Sequence, residues 1–270
     1  MDFKIPFSGR AHRFLETEIS AVADLMRSDI NLTQGIHLKK FESDFTKYFS
    51  AKNSFAVNNA TSALEIVAEL CAFEKGDEVI IPSHTFTSTA YPFIKRQAKP
   101  VWCDIDKDTR VVNAETISKS ITNKTKAIIV VHLYGYVADM DEIRELASSN
   151  NIILIEDVAQ SIGAKYKGEY SGVMGDFGVF SFHSAKNITT LGEGGMLTVK
   201  SDSLSKLLPM IRHNGGCMYD RGPDEEYWIP AMSNVVLPQD SDHTYWPGNY
   251  CIGEAESLLG SLLLERLEVF

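Results

Sequence analysis

Four short runs rich in apolar residues alternate with helix-length stretches through the middle of this chain, and that alternation leaves few folds open. The runs are Glu78–Pro82, Pro100–Cys103, Ala127–His132 and Ile152–Ile155, and the stretches Ser88–Arg96, Ala114–Ser120 and Asp139–Ser149 between them read as helices. A strand that is apolar at nearly every position has both faces covered, and strands joined through helices run parallel. The expected fold is therefore α/β, a mostly parallel sheet with helices on both faces. Its ligand should sit beyond the C-terminal ends of the strands.

The flanks are more helical. His12 to Arg27 carries Phe14, Ile19, Val22, Leu25 and Met26 close to helical spacing, a second pattern runs through Leu38, Phe41 and Phe45, and a third helix is expected from about Ala63 to Phe73. Gly215 to Gly248 is rich in Gly, Pro, Asp and Tyr with little periodicity, as in a long functional loop or a partly mobile insertion. From Glu254 to Phe270 a helix resumes with Leu258, Leu259, Leu262, Leu263 and Leu267 on one broad apolar face.

Composition narrows the function. Of 270 residues 44% are hydrophobic, enough for a sizeable core, and 26 basic against 36 acidic side chains give a net charge of −10. That balance argues against a general nucleic-acid or anionic-membrane surface. Cys71, Cys103, Cys217 and Cys251 form no CxxC pair and have no His-rich partner run, so neither a metal site nor a disulfide framework is expected. No signal-peptide core and no bilayer-length apolar run is present, and the expectation is a soluble, cytoplasmic protein with reduced thiols.

Chemistry is concentrated around one lysine. Lys186 stands between the apolar run Phe180-Ser181-Phe182 and the turn Gly192-Glu193-Gly194-Gly195, and Asp157 closes the strand-like run that precedes it. A strand-end carboxylate followed by such a lysine suggests pyridoxal phosphate, which needs an amine for a Schiff base and an anion beside its pyridinium nitrogen. Asn58-Asn59-Ala60-Thr61-Ser62 could open a helix onto a phosphate, or could be an ordinary N-cap. Phe86, after the run ending at Pro82, could cover a planar ring or sit in the core. Asp157 could equally be a cap or half of a surface ion pair, Gln160 could bond a cofactor hydroxyl or complete a capping box, and Lys186 could be a solvated loop lysine. His84 and His132 fit structural hydrogen bonding and are left without a role. The conjunction and order of these features favour the cofactor reading.

The ordered set Asn59-Ala60-Thr61-Ser62-Ala63-Leu64, Gly76-Asp77-Glu78-Val79-Ile80, Pro82-Ser83-His84-Thr85-Phe86, His132-Leu133-Tyr134-Gly135, Glu156-Asp157-Val158-Ala159-Gln160-Ser161 and Phe180 to Gly195 resembles the DegT/DnrJ/StrS sugar aminotransferases. The resemblance runs from Thr33-Gln34-Gly35 to the closing helix. It implies the large domain of a fold-type-I, pyridoxal 5'-phosphate-dependent homodimer that transfers an amino group, usually from glutamate, to a keto sugar of a nucleoside diphosphate. By the same resemblance Lys186 is the Schiff-base lysine and proton shuttle, and Asp157 pairs with the pyridine nitrogen. Gln160 contacts the ring's hydroxyl side, Phe86 stacks on the ring, and Thr61, Ser62 and Ser181 hold the phosphate. Asn249 resembles the asparagine that reaches across the dimer towards the neighbouring cofactor.

Two departures qualify these expectations. Where the family commonly has Asn-x-Arg, this chain has Asn249-Tyr250-Cys251, which removes a cation. Family members usually continue for about a hundred further residues, a domain-sized portion. Residues 1–250 are therefore expected to form the cofactor-binding domain, and 251–270 to begin a bridging helix towards a small domain that is largely absent. The competing readings are a truncated, non-catalytic paralogue that binds the cofactor or a partner subunit, and a related sugar 3-dehydratase. The dehydratase carries histidine in place of the Schiff-base lysine, and Lys186 argues against it.

Overall fold

The computed structural model describes residues 13–217 and 235–269. Helices α1 (Glu16–Arg27) and α2 (Ile36–Phe49) lead into strand β1 (Ser54–Val57) and helix α3 (Ala60–Leu70). There follow β2 (Glu78–Pro82), α4 (Tyr91–Lys95), β3 (Lys99–Cys103), α5 (Ala114–Ser118), β4 (Thr125–Val131), α6 (Met140–Ser149) and β5 (Ile153–Asp157). A small hairpin, β6 (Lys165–Tyr166) and β7 (Glu169–Tyr170), precedes β8 (Phe177–Ser181) and β9 (Gly195–Val199). The short helices α7 (Asp202–Ser205) and α8 (Leu208–Arg212), the pair β10 (Gly216–Cys217) and β11 (Val235–Val236), and α9 (Glu254–Leu264) complete the described elements.

Seven strands form one sheet in the order β1-β9-β8-β5-β4-β2-β3. Pairings among β3, β2, β4, β5 and β8 are parallel, whereas β9 is antiparallel to both β8 and β1. Only β9 is reversed, so the C-terminal ends of the other six strands and the start of β9 share one edge. The expected strands are present. β1 and β9 were not legible, because β1 has only four residues and β9 opens on a glycine that breaks the apolar run, and β8 was legible only as the apolar run Phe180–Phe182.

Side chains on successive strand residues point to opposite faces, and the buried residues divide accordingly. Val57, Val179 and Leu197 face a core shared with α3 and α6, whereas Ala56, Phe180 and Met196 face a second core with α2 and α9. In α2 the buried stripe Leu38, Phe41, Phe45, Phe49 follows the helical period, and Phe45 stacks edge-on to Phe180 with ring centroids 4.9 Å apart. Full burial of each such phenylalanine contributes roughly 1.5–3 kcal/mol. Gly260 of α9 packs directly on Phe41, where a Cβ would come within 2.5 Å of its ring.

One buried carboxylate joins α9 to α2. Helix α2 starts at Gly35, which has no side chain to cap it, and Glu254 at the start of α9 accepts the N–H groups of Gly35 (2.9 Å), His37 (2.7 Å) and Leu38 (3.1 Å). A carboxylate at a helix N-terminus satisfies orphan donors and opposes the helix dipole, which compensates the burial of Glu254 at 0% exposure.

Several helices differ from expectation in extent. The first begins at Glu16 and the third at Ala60, while Ser88–Arg96 divides into a 3₁₀ turn, Thr87–Thr89, followed by α4. Pro92 at the start of α4 explains that division, since its fixed φ and missing N–H suit a first turn. The closing helix ends at Leu264 and continues as a 3₁₀ turn, Leu267–Val269. Of the expected Gly215–Gly248 loop, residues 218–234 lie outside the described residues, as does His12. Among the described residues no helix is long and apolar enough to cross a membrane.

Candidate functional site

A cavity of about 860 Å³ opens at the sheet edge where the parallel strands end. Thr61, Ser62, Phe86, Asp157, Gln160, Ser181 and Lys186 all line it, although they come from four separate parts of the sequence. Asn249 does not. It is exposed, its Oδ1 accepts the Cys251 N–H at 3.4 Å, and its neighbour Tyr250 reaches the cavity wall instead.

The wall at Thr61 and Ser62 is the first turn of α3. Asn59 caps the helix by accepting the Ser62 N–H at 2.8 Å, and the Thr61 hydroxyl bonds Ser88 Oγ at 3.0 Å. Both the N-cap and the phosphate-site readings therefore describe this turn, because Asn59 does the capping and leaves Thr61 and Ser62 on the cavity. The turn is drawn close to the sheet by Gly195, where a Cβ would lie 2.7 Å from the Ala60 nitrogen. No residue other than glycine fits that approach.

Asp157 is the last residue of β5 and 6% exposed. Its Oδ2 accepts the Thr89 hydroxyl at 2.9 Å and its Oδ1 the Ala159 N–H at 3.1 Å. Burial pushes the carboxyl above its usual pKa, opposed by these two donors and by the charge of Lys186. It is neither a helix cap nor part of a surface ion pair. The neighbouring Glu156 points to the other face, where it accepts N–H groups from Gly172 (2.8 Å), Met174 (2.8 Å) and Gly175 (2.6 Å) and bonds His132 Nε2 at 2.9 Å. The His132 Nδ1 accepts the Ala138 N–H, which leaves Nε2 as the protonated nitrogen facing Glu156. The His132 backbone N–H also donates to the Asp157 carbonyl at 3.0 Å. His132 thus braces the end of β5 through side chain and main chain alike.

Lys186 sits in the return loop between β8 and β9. Main-chain bonds from Phe182 to Gly194 (2.8 Å), Ser184 to Gly192 (2.9 Å) and Lys186 to His183 (2.8 Å) fix this loop, with the Thr190 hydroxyl donating to the Glu193 carbonyl at 2.6 Å. The side chain is half-buried, and burial lowers its pKa from the usual 10.5 while Asp157 opposes the shift. The solvated-lysine reading does not describe this residue. Phe86 is 69% exposed at the cavity wall, so it is not a core residue either. Gln160 makes no capping box, and its Oε1 is a buried acceptor with no hydrogen-bond partner.

These features suit a small ring bearing a phosphate. The orphaned Gln160 acceptor awaits a donor, Asp157 awaits a cation, the α3 turn suits an anion, and Lys186 is an amine with a depressed pKa. Sequence reasoning missed Thr89, Tyr250 and Glu156. Thr89 had no legible signal, since its partner Asp157 lies 68 residues away. Glu156 had one, because period-two alternation puts it opposite Asp157 in a strand buried on both faces.

The sequence profile of the DegT/DnrJ/EryC1/StrS aminotransferase family matches residues 13–268. The chain belongs to this family. Among its relatives, the GDP-perosamine synthase of Caulobacter vibrioides is 36% identical over 234 residues, covering 87% of this chain and 58% of that protein. An aminotransferase from Psychrobacter cryohalolentis superposes with a TM-score of 0.84 at 32% identity, over 97% of this chain and 64% of that one. An Escherichia coli GDP-4-keto-6-deoxy-D-mannose-3-dehydratase, solved with bound hydrated PLP, gives 0.83 at 25% identity over 98% and 68%. The chain spans about half the length of the curated relatives it matches. The mostly parallel sheet flanked by helices, expected from the strand runs, is the fold these solved structures share with the chain.

Proposed function

We propose that this chain provides the cofactor site of a pyridoxal 5'-phosphate-dependent aminotransferase that moves an amino group, with glutamate as donor, onto a keto sugar of a nucleoside diphosphate. The observation that carries the reading is the convergence of Lys186, Asp157, Gln160 and the α3 turn on one cavity. The GDP-perosamine synthases among its relatives support the substrate class. A dehydratase is disfavoured by lysine at position 186.

Bound in this cavity, pyridoxal phosphate supplies an aldehyde that exchanges amines and a ring that accepts electron density. Lys186 Nζ, made less basic by its surroundings, is the amine that holds the cofactor covalently and then takes and returns the proton that amino transfer requires. Asp157 supplies the anion for the pyridine nitrogen, and Gln160 Oε1 accepts from the ring hydroxyl. Phe86 covers the ring face, and Thr61, Ser62 and Ser181 with the α3 turn hold the phosphate.

In this reading residues 1–250 are the cofactor-binding domain and 251–270 begin the bridging helix to a second domain. Helix α9 shares a core with α2, so the two parts are joined through packing as well as through the chain. The protein works as a cytoplasmic homodimer in the synthesis of surface polysaccharide or a similar glycan. The exposed position of Asn249, outside its own cavity, fits a reach towards the partner's cofactor.

Borohydride reduction of the protein with pyridoxal phosphate, followed by peptide mass spectrometry, tests the chemistry. A cofactor-sized adduct on Lys186 is expected. An adduct on another lysine, or none, overturns the reading.

A further inference from the structure

We propose that Thr89, backed by Thr85, is a positioning residue for Asp157: two hydroxyls in series hold the carboxylate ionised and fixed at the cavity. The functional meaning rests on the cofactor reading above, whereas the arrangement itself rests on geometry alone.

An ionised carboxylate has no proton to give. Thr89 Oγ1, 2.9 Å from Asp157 Oδ2, therefore commits its single proton there. Thr85 Oγ1 lies 2.7 Å from Thr89 Oγ1, and with the Thr89 proton committed, Thr85 is the donor of that bond. The order is thus fixed from Thr85 to Thr89 to Asp157, running from the half-buried cavity wall to the buried acid. Thr89 is 1% exposed, so bulk water cannot take over its donation.

The turn that carries Thr89 exists for a local reason. Thr87–Thr89 is a single 3₁₀ turn closed by Thr89 N–H to the Phe86 carbonyl at 3.0 Å, just ahead of the Pro92 helix start. The same segment carries Phe86 on the cavity and Ser88 on Thr61, so Thr89 couples the acid to two other walls of the site.

Other groups around Asp157 cannot replace this donor. Ala159 N–H occupies Oδ1, not Oδ2. His132, from the end of β4, has its ring nitrogens engaged by Glu156 and Ala138. Lys186, from the β8–β9 loop, acts on Asp157 through charge, and the cofactor reading assigns its amine to another bond. Burial raises the Asp157 pKa and the Thr89 bond is among the influences that lower it. Loss of the hydroxyl should therefore favour the protonated acid, which cannot serve as an anion for a ring nitrogen.

The test uses the full chain with carboxyl-labelled aspartate, followed by NMR across pH without added cofactor, in parallel with pyridoxal phosphate titrations. Thr89→Val should raise the Asp157 midpoint by about one pH unit and weaken cofactor binding about tenfold. Thr89→Ser should restore both, and Thr85→Val should give a smaller shift in the same direction. A folded Thr89→Val protein that titrates like wild type overturns the proposal, as does a Thr89→Ser protein shifted as far as the valine variant. If Thr89→Val does not fold, Thr85→Val decides, and an unchanged midpoint there overturns the series. Absence of a Lys186 adduct in the wild type would overturn the cofactor reading instead, leaving the carboxyl titration to judge the hydroxyls.

Discussion

Two cavities of nearly equal size lie at opposite ends of the same sheet, and they differ in whether their buried polar groups are satisfied by the fold. The cavity at the strand C-termini measures about 860 Å³, and the one between α6, α7 and the strand N-termini about 900 Å³. The second has the more obvious charges. Yet Lys126 there is held by Asp77 at 3.1 Å and the Ala72 carbonyl at 2.6 Å, Arg144 by Glu169 at 3.3 Å, and Asp176 accepts the Leu154 N–H at 2.9 Å. In the first, Lys186 and Asp157 are both shifted against their charged forms by burial, and Gln160 keeps an unused acceptor. Volume does not separate the two. What separates them is burial: the first holds buried polar groups the fold leaves unsatisfied, whereas those of the second are paired or, like Glu145 and Lys200, exposed to solvent.

The sharpest way to break this contrast is to exchange a lysine at each end. Lys186→Ala should abolish covalent cofactor capture and lower amino transfer by at least about a thousandfold, whereas Lys126→Met should leave capture intact and lower only thermal stability. Equal loss of capture in both variants would erase the distinction.

Asp157→Asn comes next and has two opposed effects. Amino transfer should fall roughly a hundredfold, as for loss of a buried electrostatic partner. A carboxyl whose folded pKa is raised loses stability as pH climbs from its unfolded value through the folded one, so at neutral pH the ionised acid is a burden on the cofactor-free fold. Removing its charge should therefore raise the Tm of the cofactor-free protein by roughly 2 °C, while wild type and variant converge in acid. A lowered Tm would mean that Asp157 is stabilised by partners the contrast leaves out.

Lys186 sharpens the comparison through pH. Because burial depresses its pKa, the rate of pyridoxal phosphate capture should rise with pH and level off below the ordinary lysine value of 10.5. A plateau at or above that value would make it an ordinary solvated amine. The smallest expected change is Gln160→Ala, which should weaken cofactor binding about threefold to tenfold without moving that pH profile.

Much of this site could be read from the chain before its fold was known, for physical reasons that differ by residue. Asp157 was legible because a continuous apolar strand makes a terminal acid conspicuous, and Lys186 because glycines follow it. Thr61 and Ser62 stood out as helix-start residues. Phe86 was ambiguous until its exposure removed the core alternative. Thr89 was silent, since a threonine in a single 3₁₀ turn carries no periodicity and its bond is made across the sheet. Glu254 was equally silent as the cap of α2, because its partners at Gly35, His37 and Leu38 come from the other end of the chain. Four of the parallel strands, β2, β3, β4 and β5, announced themselves through apolar runs, but the reversal of β9 did not, because strand direction is set by pairing and leaves no mark on composition.

That reversal governs where the reactive amine can be engineered. Since β8 and β9 are neighbours running in opposite senses, the segment bearing Lys186 is a hairpin tip pinned at Ser181 and Gly195 and belongs to no helical crossover. Phe182 and Ile188 in that segment are fully buried in the core shared with α2 and α9, so variation there, by directed evolution or by grafting, is confined to exposed positions such as Ala185 while both anchoring strands and the acid on β5 stay where they are.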